Sequence, residues 1–504
     1  MVNSNGDISA NERKRILLEA HFSRASFVQS DIESFNKFVE EDLAKIAKEN
    51  NPIEPTIIPP NVDDFKIMID SVKIGKPMIV EADGSEKPLF PQEARIRNLT
   101  YGAPIYLSVS SVINGKTSDS FETEIGVLPI MLKSKFCLLN GLSRDELIEK
   151  GEDPDDPGGY FIINGTERIV IKLEDLAQNC FSVERNSIGP GEYRGRIFSE
   201  YNALKIAHSV ERYSDGIIYF SFARVKKAPF ALILKALGMI SDQEIVKTID
   251  FPEGFNEIVT NLYETSGIKS REDALDRLSK IVGITQSREI RIERNEELLD
   301  NYFLPHLGTE ESSRMKKAVN TCKYIKKYLM VMKGMIEPDD KDHYKNKRLK
   351  MPSDLLGDLF RANLKILVND MLYNFQRIVK RGKFPAVNVI IREKLLSSRI
   401  NSAMATGNWV GGRKGVSQRV MRWNYFEFLS HLQRVVSPLS TTQENFEARS
   451  LHSTHLGRLC PVETPEGTSI GLKKNLALLP SVSKGIKEEK VIEELKGLGM
   501  KEAW

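Results

Sequence analysis

The spacing of apolar residues changes twice along the chain, near residue 176 and again near residue 350. Up to the first change the pattern is typical of helices and then of short strands. Between the two changes it is typical of strands followed by several helices, and afterwards it becomes helical again. The chain has 504 residues, which exceeds what one hydrophobic core usually organises. The sequence therefore predicts an α+β protein with two to four domains.

Individual elements can be placed from periodicity and turn residues. We predict helices over 12–50, 227–240, 271–282, 313–336, 355–380 and 488–498, strands over 67–74, 100–109, 125–132 and 216–224, and a β-hairpin with its turn at Asn164-Gly165. Glycines and prolines are too frequent in 407–472 for long regular elements. This segment should consist of loops held on a scaffold, which is where binding residues often lie.

Targeting signals and cysteine spacing indicate the cellular setting. Residues 1–13 are polar and charged, unlike a secretory signal, and no run of about 18 apolar residues occurs, so we expect no membrane span. The four cysteines are far apart and form no C-x-x-C pair, which excludes a disulfide framework and a zinc ribbon; they are Cys137, Cys180, Cys322 and Cys460. We therefore expect a cytoplasmic protein.

Positive charge is concentrated in one region of the chain. Residues 377–474 contain sixteen Lys and Arg against six Glu, a net charge of +10, whereas the remaining residues carry 56 basic against 63 acidic side chains. A region with this charge is suited to a polyanion. No aspartate follows Asp370, which argues against a carboxylate-held magnesium site in the basic region.

Most catalytic signatures fail on a required residue. The glycine spacing of 407–412 resembles a P-loop, but Arg413 stands where the lysine must be. The glycines of 189–195 miss the dinucleotide-binding fingerprint by one residue. Ser469 lies in a G-x-S-x-G sequence, but Pro461 and Pro465 replace the strand that a nucleophile elbow requires. We expect no complete catalytic site in this chain.

Two clusters contain possible metal ligands. His452, His455 and Cys460 could supply three zinc ligands, although no fourth is obvious nearby, and the histidines could equally bond loop backbone or nucleic acid. The second cluster is a group of three aspartates beside several lysines and Arg348, which is more typical of a self-paired, solvated surface; the aspartates are Asp339, Asp340 and Asp342. We favour the structural alternative for both clusters and expect no metal bound by this chain.

Residues 413–423 are the most informative basic stretch, because cations, an amide and an aromatic side chain alternate with glycine. Guanidinium and ammonium groups neutralise phosphates, and glycine lets the backbone approach them closely. The alternative is a solvated basic face on an ordinary helical domain. Charge alone does not choose between the two.

Several motifs of this chain resemble the second-largest subunit of multisubunit DNA-directed RNA polymerases. Those that resemble its fork region are A-T-G-N-W from Ala405, G-V-S-Q from Gly415, L-S-H-L-Q-R from Leu429 and the segment 451–472. Those that resemble its protrusion are 93–104, 129–135 and 158–168, and 342–348 matches a further shared stretch. The resemblance runs in order from about residue 20 to the end.

The resemblance implies a domain organisation. It is an α+β multidomain fold in which a protrusion contains an inserted lobe and is followed by a fork and the start of an external domain. The implied ranges are 1–175 and 357–405 for the protrusion, 176–356 for the lobe, 406–485 for the fork and 486–504 for the external domain. The family's subunit is normally more than twice this length. The chain therefore resembles the archaeal form that is divided between two polypeptides, whose other chain, B′, would complete the external domain.

The resemblance also implies roles for individual residues. The first fork loop would include Arg413 and Lys414, and the second, which blocks the nontemplate strand, would end at Arg449. The stretch that lines the RNA side of the cleft would include Gln418, His431, Gln433 and Arg434. Glu463, Pro465 and Glu466 would lie near the path of the nucleoside triphosphate, although Glu463 could instead pair with Arg458 or cap a turn.

Other motif residues have a structural alternative beside a binding role. Lys133 and Lys135 could contact the DNA backbone or be structural, and Glu167 with Arg168 is more typical of a core or interface salt bridge. Residues 419–428 depart from the bacterial pattern of the rifamycin-binding region. Sensitivity to that drug is therefore not expected to carry over.

Cofactors and partners follow from the resemblance as well. The Mg²⁺ ions of RNA synthesis would be held by the largest subunit, so this chain alone should be inert. Its partners would be B′, the largest subunit, other polymerase subunits, the DNA template and the RNA–DNA hybrid, with no membrane. The alternative is a freestanding nucleic-acid-binding scaffold or transcription regulator related to such a subunit.

Overall fold

The structure is a computed structural model that describes residues 9–24, 27–58, 62–118, 120–186, 191–202, 204–383, 387–483 and 488–500. Within it the chain divides into two compact units. Unit 1 comprises 1–173, 351–444 and 449–504, and unit 2 comprises 174–350 with 445–448. Residues 174–350 of unit 2 thus separate the first segment of unit 1 from its later segments in the sequence.

The helices are α1 Ala10–Arg24, α2 Gln29–Lys37, α3 Leu43–Lys48, α4 Pro91–Ile96, α5 Arg144–Glu149, α6 Phe230–Ala236, α7 Asp242–Ile249, α8 Phe255–Tyr263, α9 Arg271–Val282, α10 Arg288–Tyr302, α11 Arg314–Met332, α12 Pro352–Val379, α13 Val387–Ile390, α14 Glu393–Thr406, α15 Tyr425–Leu432, α16 Phe446–Arg449 and α17 Glu488–Gly497. The strands are β1 Phe65–Ile74, β2 Met78–Val80, β3 Glu86–Pro88, β4 Gly102–Ile113, β5 Lys116–Thr117, β6 Phe121–Pro129, β7 Phe161–Ile163, β8 Thr166–Val170, β9 Lys172–Leu176, β10 Ser182–Arg185, β11 Tyr193–Tyr201, β12 Leu204–Arg212, β13 Ile218–Phe222, β14 Val225–Pro229, β15 Lys347–Lys350, β16 Ser417–Arg419, β17 Arg434–Val436 and β18 Lys473–Asn475.

The α+β class is confirmed, and so are most of the predicted elements. The helices predicted at 271–282, 313–336, 355–380 and 488–498 correspond to α9, α11, α12 and α17. Residues 484–487 and 501–504, which belong to the expected end of the fork and start of the external domain, lie outside the described residues, as does part of the glycine-rich 189–195 segment. None of the described helices is long and apolar enough to cross a membrane.

Unit 1 is organised by an antiparallel sheet packed against the long helix α12. Strand β4 pairs with β1 on one side and with β6 on the other. Alternate side chains of β1, namely Phe65, Ile67 and Ile69, are buried. The ring of Phe65 stacks on that of Phe375 in α12 with a centroid distance of 4.8 Å. The alternation of apolar residues in β1 thus supplies one face of the core.

The predicted hairpin at Asn164-Gly165 is confirmed. Ile163 pairs with Thr166, and both turn residues have positive φ, 47° at Asn164 and 71° at Gly165. A two-residue turn of this kind favours Asn-Gly because its backbone twist matches that of the strands. A Cβ atom at Gly165 would lie 2.7 Å from Asn98 Cα, so a side chain has no room there.

The C-terminal segment of unit 1 adds strands to this N-terminal framework. Strand β16 pairs antiparallel with β8, with Gln418 opposite Ile169. Strand β17 runs parallel to Lys172 and Leu173 and pairs antiparallel with β18. The segment predicted to be loops on a scaffold is therefore held by backbone ladders to residues more than 200 positions earlier.

A buried ion pair joins three segments of unit 1. Lys172 Nζ lies 2.7 Å from Asp31 Oδ2 and donates to the carbonyl oxygen of Leu432 at 2.9 Å. Both charged side chains are almost completely buried. Burial raises the pKa of Asp31 above its ordinary value, and the positive charge of Lys172 opposes that rise. The ammonium group thereby fastens α2, β9 and the end of α15 together.

Unit 2 has a five-stranded antiparallel sheet with strands β10 to β14 in sequential order. Its helices α6 to α11 contribute to a core that includes Leu278, Phe303 and Cys322. Ser270 begins α9 by accepting a hydrogen bond from the Asp273 amide, and Gly283 ends the helix in the left-handed conformation. Such caps satisfy backbone groups that a helix leaves unpaired.

Two predicted elements differ from the structure. The helix predicted over 227–240 is wrong at its start, because Phe220 pairs with Ala228 and strand β14 continues to Pro229 before α6 begins. Sheet pairing overrides the local pattern there. The strand predicted over 125–132 ends three residues early, at Pro129. Proline has no N–H group and cannot continue a ladder as a donor.

Replacing Lys172 by methionine should destabilise unit 1 by about 3–5 kcal/mol, because it leaves the Asp31 carboxylate buried without its counter-charge. The free energy of unfolding can be followed in urea by tryptophan fluorescence, since Trp409 and Trp423 both belong to unit 1. The double variant D31N/K172M is the control and should recover much of the loss. If the loss in the double variant equals the sum of the losses in D31N and K172M, the ion pair has no coupling energy.

Candidate nucleic-acid interface

The segment 407–472, which contains the expected site residues, is built from short elements, as the sequence predicts. Between residues 407 and 483 the longest helix is α15, with eight residues, and the strands have three residues each. Asn424 begins α15 by accepting a hydrogen bond from the Glu427 amide at 2.8 Å. The loops between these elements carry the expected site residues.

An ion network fixes the middle of the basic stretch. The guanidinium group of Arg422 bonds both carboxylate oxygens of Glu167, and its Nη2 lies 2.8 Å from Asp156 Oδ2. Glu167 is also paired with Arg95. Arg95 in turn bonds Glu152, since its Nη1 lies 2.9 Å from each carboxylate oxygen of that residue. The network thus alternates three acidic and two basic side chains and joins the segment 95–167 to Arg422.

A buried aromatic residue completes this network. The hydroxyl group of Tyr160 accepts from Arg95 at 3.0 Å and from Arg422 at 2.9 Å and donates to Asp156 at 2.8 Å. The Arg422 guanidinium also lies over the Phe428 ring, 4.2 Å from its centroid. Burial is the largest single influence and lowers the pKa of Arg422, but the hydrogen bonds and charges of Glu167, Tyr160 and Asp156 together outweigh it and raise the pKa above its ordinary value. Arg422 is therefore a permanently charged structural clamp.

The sequence predicted a salt bridge between Glu167 and Arg168. The salt bridge of Glu167 is confirmed, but Arg168 as its partner is wrong. Glu167 is in a salt bridge, but with Arg95 and Arg422. Glu167 and Arg168 are adjacent in β8, so their side chains point to opposite faces of the sheet. Alternation along a strand therefore separates the two charges.

The residues expected in the first fork loop differ in their environment. Gly411 and Gly412 both have positive φ, 76° and 73°, and form a tight turn before the two cations. Arg413 is partly buried, and its Nη1 lies 3.4 Å from Asp358 Oδ2 in α12. Lys414 is exposed. The loop thus has one cation tied to the scaffold and one directed to solvent.

Gln418 and His431 are brought together. Met421 N–H donates to His431 Nδ1 at 3.2 Å, so the other ring nitrogen carries the proton and faces Gln418 Oε1 at 3.4 Å. Gln418 Nε2 donates to the carbonyl oxygen of Gly415 at 3.0 Å. Burial, with smaller contributions from Arg434 and Lys473, lowers the pKa of His431 to about 4. The ring is therefore neutral near pH 7 and holds the amide in place.

Gln433 and Arg434 follow α15 and lie in half-buried positions. Gln433 Nε2 donates to the carbonyl oxygen of Phe27 at 3.4 Å, and Arg434 Nη2 lies 3.2 Å from Glu427 Oε1. Both polar groups therefore have an internal partner as well as partial access to solvent.

Arg449 serves as a clip between two loops. Its Nη1 donates to the carbonyl oxygens of Thr468 at 2.7 Å and Ile470 at 3.0 Å. Its Nη2 donates to those of Thr441 at 3.0 Å and Gln443 at 3.3 Å. Sequence reasoning treated this arginine only as a cation facing a nucleic-acid strand. The structure gives its guanidinium four backbone acceptors, so its charge also organises the loop.

The three residues expected near the triphosphate path are all exposed. Glu463 Oε1 accepts from Ser430 Oγ at 2.6 Å and from Asn475 Nδ2 at 2.9 Å. The alternative pairing of Glu463 with Arg458 is not formed, since Arg458 donates to the carbonyl oxygen of Thr454 instead. Pro465 and Glu466 lead into a short 3-10 turn over 467–469.

The possible metal clusters have other interactions. The rings of His452 and His455 are 6.2 Å apart, and His452 Nδ1 bonds the Thr454 hydroxyl at 2.7 Å. Asp342 pairs with the neighbouring Lys347, as expected, whereas Asp339 pairs with Lys327 outside the cluster. In the part of the chain that the structure describes, no group of three or more His, Cys, Asp or Glu is arranged to hold a metal ion.

The two lysines of the 129–135 motif make intramolecular contacts. Lys133 Nζ donates to the carbonyl oxygens of Pro154 and Asp156. Lys135 Nζ lies 2.8 Å from Glu40 Oε1 and remains largely exposed. The structural role expected as one alternative is therefore present for Lys133, whereas Lys135 forms a surface pair.

The sequence did not identify the residues that hold Arg422 in place, because they lie far from it along the chain. Arg95, Glu152 and Asp156 position Arg422 but lie 266 or more residues before it. It also did not single out Phe426, which is 82% exposed beside Trp423 at 88%. The available signal was the aromatic composition of 423–428, which is unusual for a surface.

Comparisons with known proteins agree on one family. The profile described as RNA polymerase beta subunit matches residues 26–400, and the one described as RNA polymerase Rpb2, domain 3, matches residues 418–482. The chain is 43% identical over 497 residues to the DNA-directed RNA polymerase subunit Rpo2N of Methanocaldococcus jannaschii, covering 96% of this chain and 99% of that subunit. It is 40% identical to Rpo2N of Halobacterium salinarum over 97% of this chain and 96% of that subunit.

A longer relative is matched equally well. The DNA-directed RNA polymerase subunit Rpo2 of Saccharolobus solfataricus is 43% identical over 497 residues, covering 98% of this chain but 44% of that subunit. The chain therefore spans less than half the length of Rpo2 and nearly the whole length of Rpo2N.

The neutral ring of His431 should make unit 1 sensitive to acid. The unfolded histidine binds a proton near pH 6.5 and the folded one only near pH 4, so protonation favours unfolding. The stability contributed by the neutral ring is complete above pH 6.5, and about 2–3 kcal/mol should be lost as the pH falls to 4. Urea unfolding of wild type and H431Q at pH 8, 6 and 4.5 measures this, and H431Q should lose less. Parallel losses in both proteins would contradict it.

Replacing Arg449 by alanine should release the loops that its guanidinium joins. Hydrogen–deuterium exchange of the backbone amides in 464–471 should become at least several-fold faster, because four hydrogen bonds to carbonyl oxygens disappear together. R458A is the matched control, since that arginine donates to one nearby carbonyl and should leave this segment protected. If the two variants exchange alike, the clip contributes nothing to loop order.

Proposed function

The chain belongs to the RNA polymerase beta subunit family, and we propose that it acts as the N-terminal part of the second-largest subunit of a multisubunit DNA-directed RNA polymerase. In this role it forms one side of the DNA cleft and positions the template, the nontemplate strand and the RNA–DNA hybrid. The family match over most of the chain supports this proposal. So does the concentration of basic residues in 377–474.

One structural observation carries the proposal. The basic loops of the fork segment are mounted on a frame made with the N-terminal segment, through β16 on β8 and β17 beside Lys172. The Arg422 network reinforces the same attachment. A polymerase must hold its template strand and hybrid in register while the nucleic acid moves through it, and loops on rigid elements provide such positioning.

We assign the domains as the resemblance implies. Residues 1–175 and 357–405 form the protrusion, 176–356 the lobe, 406–485 the fork and 486–504 the start of an external domain. The division of the chain into two compact units supports an insertion, because unit 2 covers 174–350 and unit 1 resumes at residue 351. The long helix α12 begins at Pro352 and would be the first element of the returning protrusion.

We assign the nucleic-acid contacts to the loops of the fork. Exposed Lys414 would meet a phosphate directly, while Arg413, Gln418, Gln433 and Arg434 would combine an internal bond with a nucleic-acid contact. Arg449 would act by shaping the second loop, whose bulk parts the strands. Glu463, with two internal donors, would set the course of the loop that carries Pro465 and Glu466.

The chemistry is shared with other chains of the complex. The RNA 3′-hydroxyl attacks the α-phosphate of a nucleoside triphosphate and pyrophosphate leaves, with Mg²⁺ held by the largest subunit. This chain contributes position and charge rather than bond making. Its partners in the proposal are B′, the largest subunit, the other polymerase subunits and the nucleic acids.

Purification of the tagged chain from native extract tests the proposal. We expect a stoichiometric complex with B′ and a largest subunit, and the complex should synthesise RNA on a DNA template while the isolated chain is inactive. Mass spectrometry identifies the partners, and incorporation of labelled nucleotide measures activity. The matched control is the double variant D31N/K172M. It changes two buried residues but should keep most of the stability of the fold, and it should therefore copurify with the same partners as wild type.

Two results would contradict the proposal. A well-behaved monomer that copurifies with no polymerase subunit and binds DNA tightly in low salt would favour the regulator alternative. An isolated chain that joins ribonucleotides would show a complete catalytic site in these 504 residues.

A further inference from the structure

Two arginines face each other across the small sheet of unit 1. In the pairing of β16 with β8, Arg419 is directly opposite Arg168. Residues opposite each other on paired strands project from the same face, with their Cβ atoms about 5 Å apart. The two guanidinium groups therefore start from neighbouring positions on one face. Like charges in this arrangement repel each other.

Among the residues that the structure describes, neither arginine has a counter-charge. Within the described residues, no ion pair or side-chain hydrogen bond involves Arg168 or Arg419, and Nε of Arg168 is buried without an acceptor. The other arginines of the fork segment differ, because Arg422, Arg434 and Arg449 each bond at least one oxygen. A buried donor without an acceptor costs stability, so the pair calls for an external anion.

The nearest acid in the sequence cannot fill this role. Glu167 precedes Arg168 in β8 and projects from the opposite face. Its carboxylate is already bound by Arg95 and Arg422. The same network that satisfies Glu167 thus leaves the other face of the sheet positively charged and unneutralised.

We propose that Arg168 and Arg419 together bind a backbone phosphate of a nucleic acid. This proposal deepens the proposed function and rests on it, since it names a contact of the same fork segment. The guanidinium group presents a planar set of donors that suits phosphate oxygens, and two such groups can hold one phosphate from two sides. The alternative anion is a carboxylate of a partner subunit. The net charge of +10 in 377–474 favours the polyanion.

The positions of Arg168 and Arg419 in the sheet support a phosphate as the anion that they bind. Arg419 lies on the edge strand of the β16-β8-β7 sheet and is exposed, whereas Arg168 on the central strand is half-buried. Gln418, a proposed nucleic-acid residue, precedes Arg419 in β16 and projects from the opposite face of the sheet, so the two arginines would form a separate contact. A phosphate that approaches the edge would therefore meet Arg419 first and the more rigidly held Arg168 beneath it.

The salt dependence of oligonucleotide binding by the full chain tests the proposal. A fluorescent single-stranded RNA is titrated at several NaCl concentrations, in buffer free of phosphate and sulfate. For each phosphate that a variant no longer binds, the slope of log Kobs against log salt should become shallower by about 0.7. We expect this change in R168A and in R419A, and no larger change in the double variant if both arginines hold one phosphate. R419K should restore part of the slope.

A matched control separates a bound phosphate from general charge. Arg224 is also exposed and, among the described residues, has no side-chain partner, but it belongs to unit 2 and faces no second arginine. R224A removes the same charge and should leave the slope unchanged. Urea unfolding of R419A should show no loss of stability, because the change removes a repulsion.

The possible outcomes are distinct. An unchanged slope in R168A and R419A, an equally shallow slope in R224A, or a wild-type chain that binds no RNA would each overturn the proposal. If R419A binds RNA normally but no longer copurifies with B′, the pair takes a protein carboxylate and the phosphate assignment fails. In that case the proposed function still stands, because it is tested by the complex that wild type forms.

Discussion

The buried ammonium group of Lys172 joins three segments of unit 1 that are far apart in the sequence. It neutralises Asp31 of α2 and bonds the backbone at Leu432, where α15 ends. Two opposite charges that are removed from water must meet with good geometry, since either one alone would be strongly destabilising. This requirement specifies how α2, β9 and the end of α15 come together. The pairing of β17 with β9 and that of β16 with β8 join the same early and late parts of the chain.

The cations around β8, β16 and α15 fall into two groups, those bound by internal oxygens and those without such a partner among the described residues. Arg422 and Arg449 are saturated by internal oxygens, so their positive charge holds the frame and the loops. Lys414, Arg419 and Arg168 have no such partners within the described residues. A high net charge therefore does not make every cation a ligand for nucleic acid. The acidic side chains Asp156, Glu152 and Glu167 select which cations remain available.

Much of the fold could be predicted because its signals are local. The Asn164-Gly165 turn, the helix α9 and the apolar stripe of α12 all depend on residues that are close in sequence. The start of α6 could not be predicted, because strand β14 forms only when β13 is beside it. The same limit explains the error at Glu167. Its neighbour Arg168 is close in sequence but on the other face, while Arg422 is 255 residues away and within bonding distance.

The sequence by itself determined the α+β class, the family and the location of the basic region, since composition, periodicity and motifs are properties of the chain in order. It also indicated which loops carry the expected site residues. Only the tertiary structure decided which of those residues are clamps and which face outward. The reason is physical: whether a charge is free depends on the oxygens and nitrogens that surround it, and these come from segments that only the folded chain brings together.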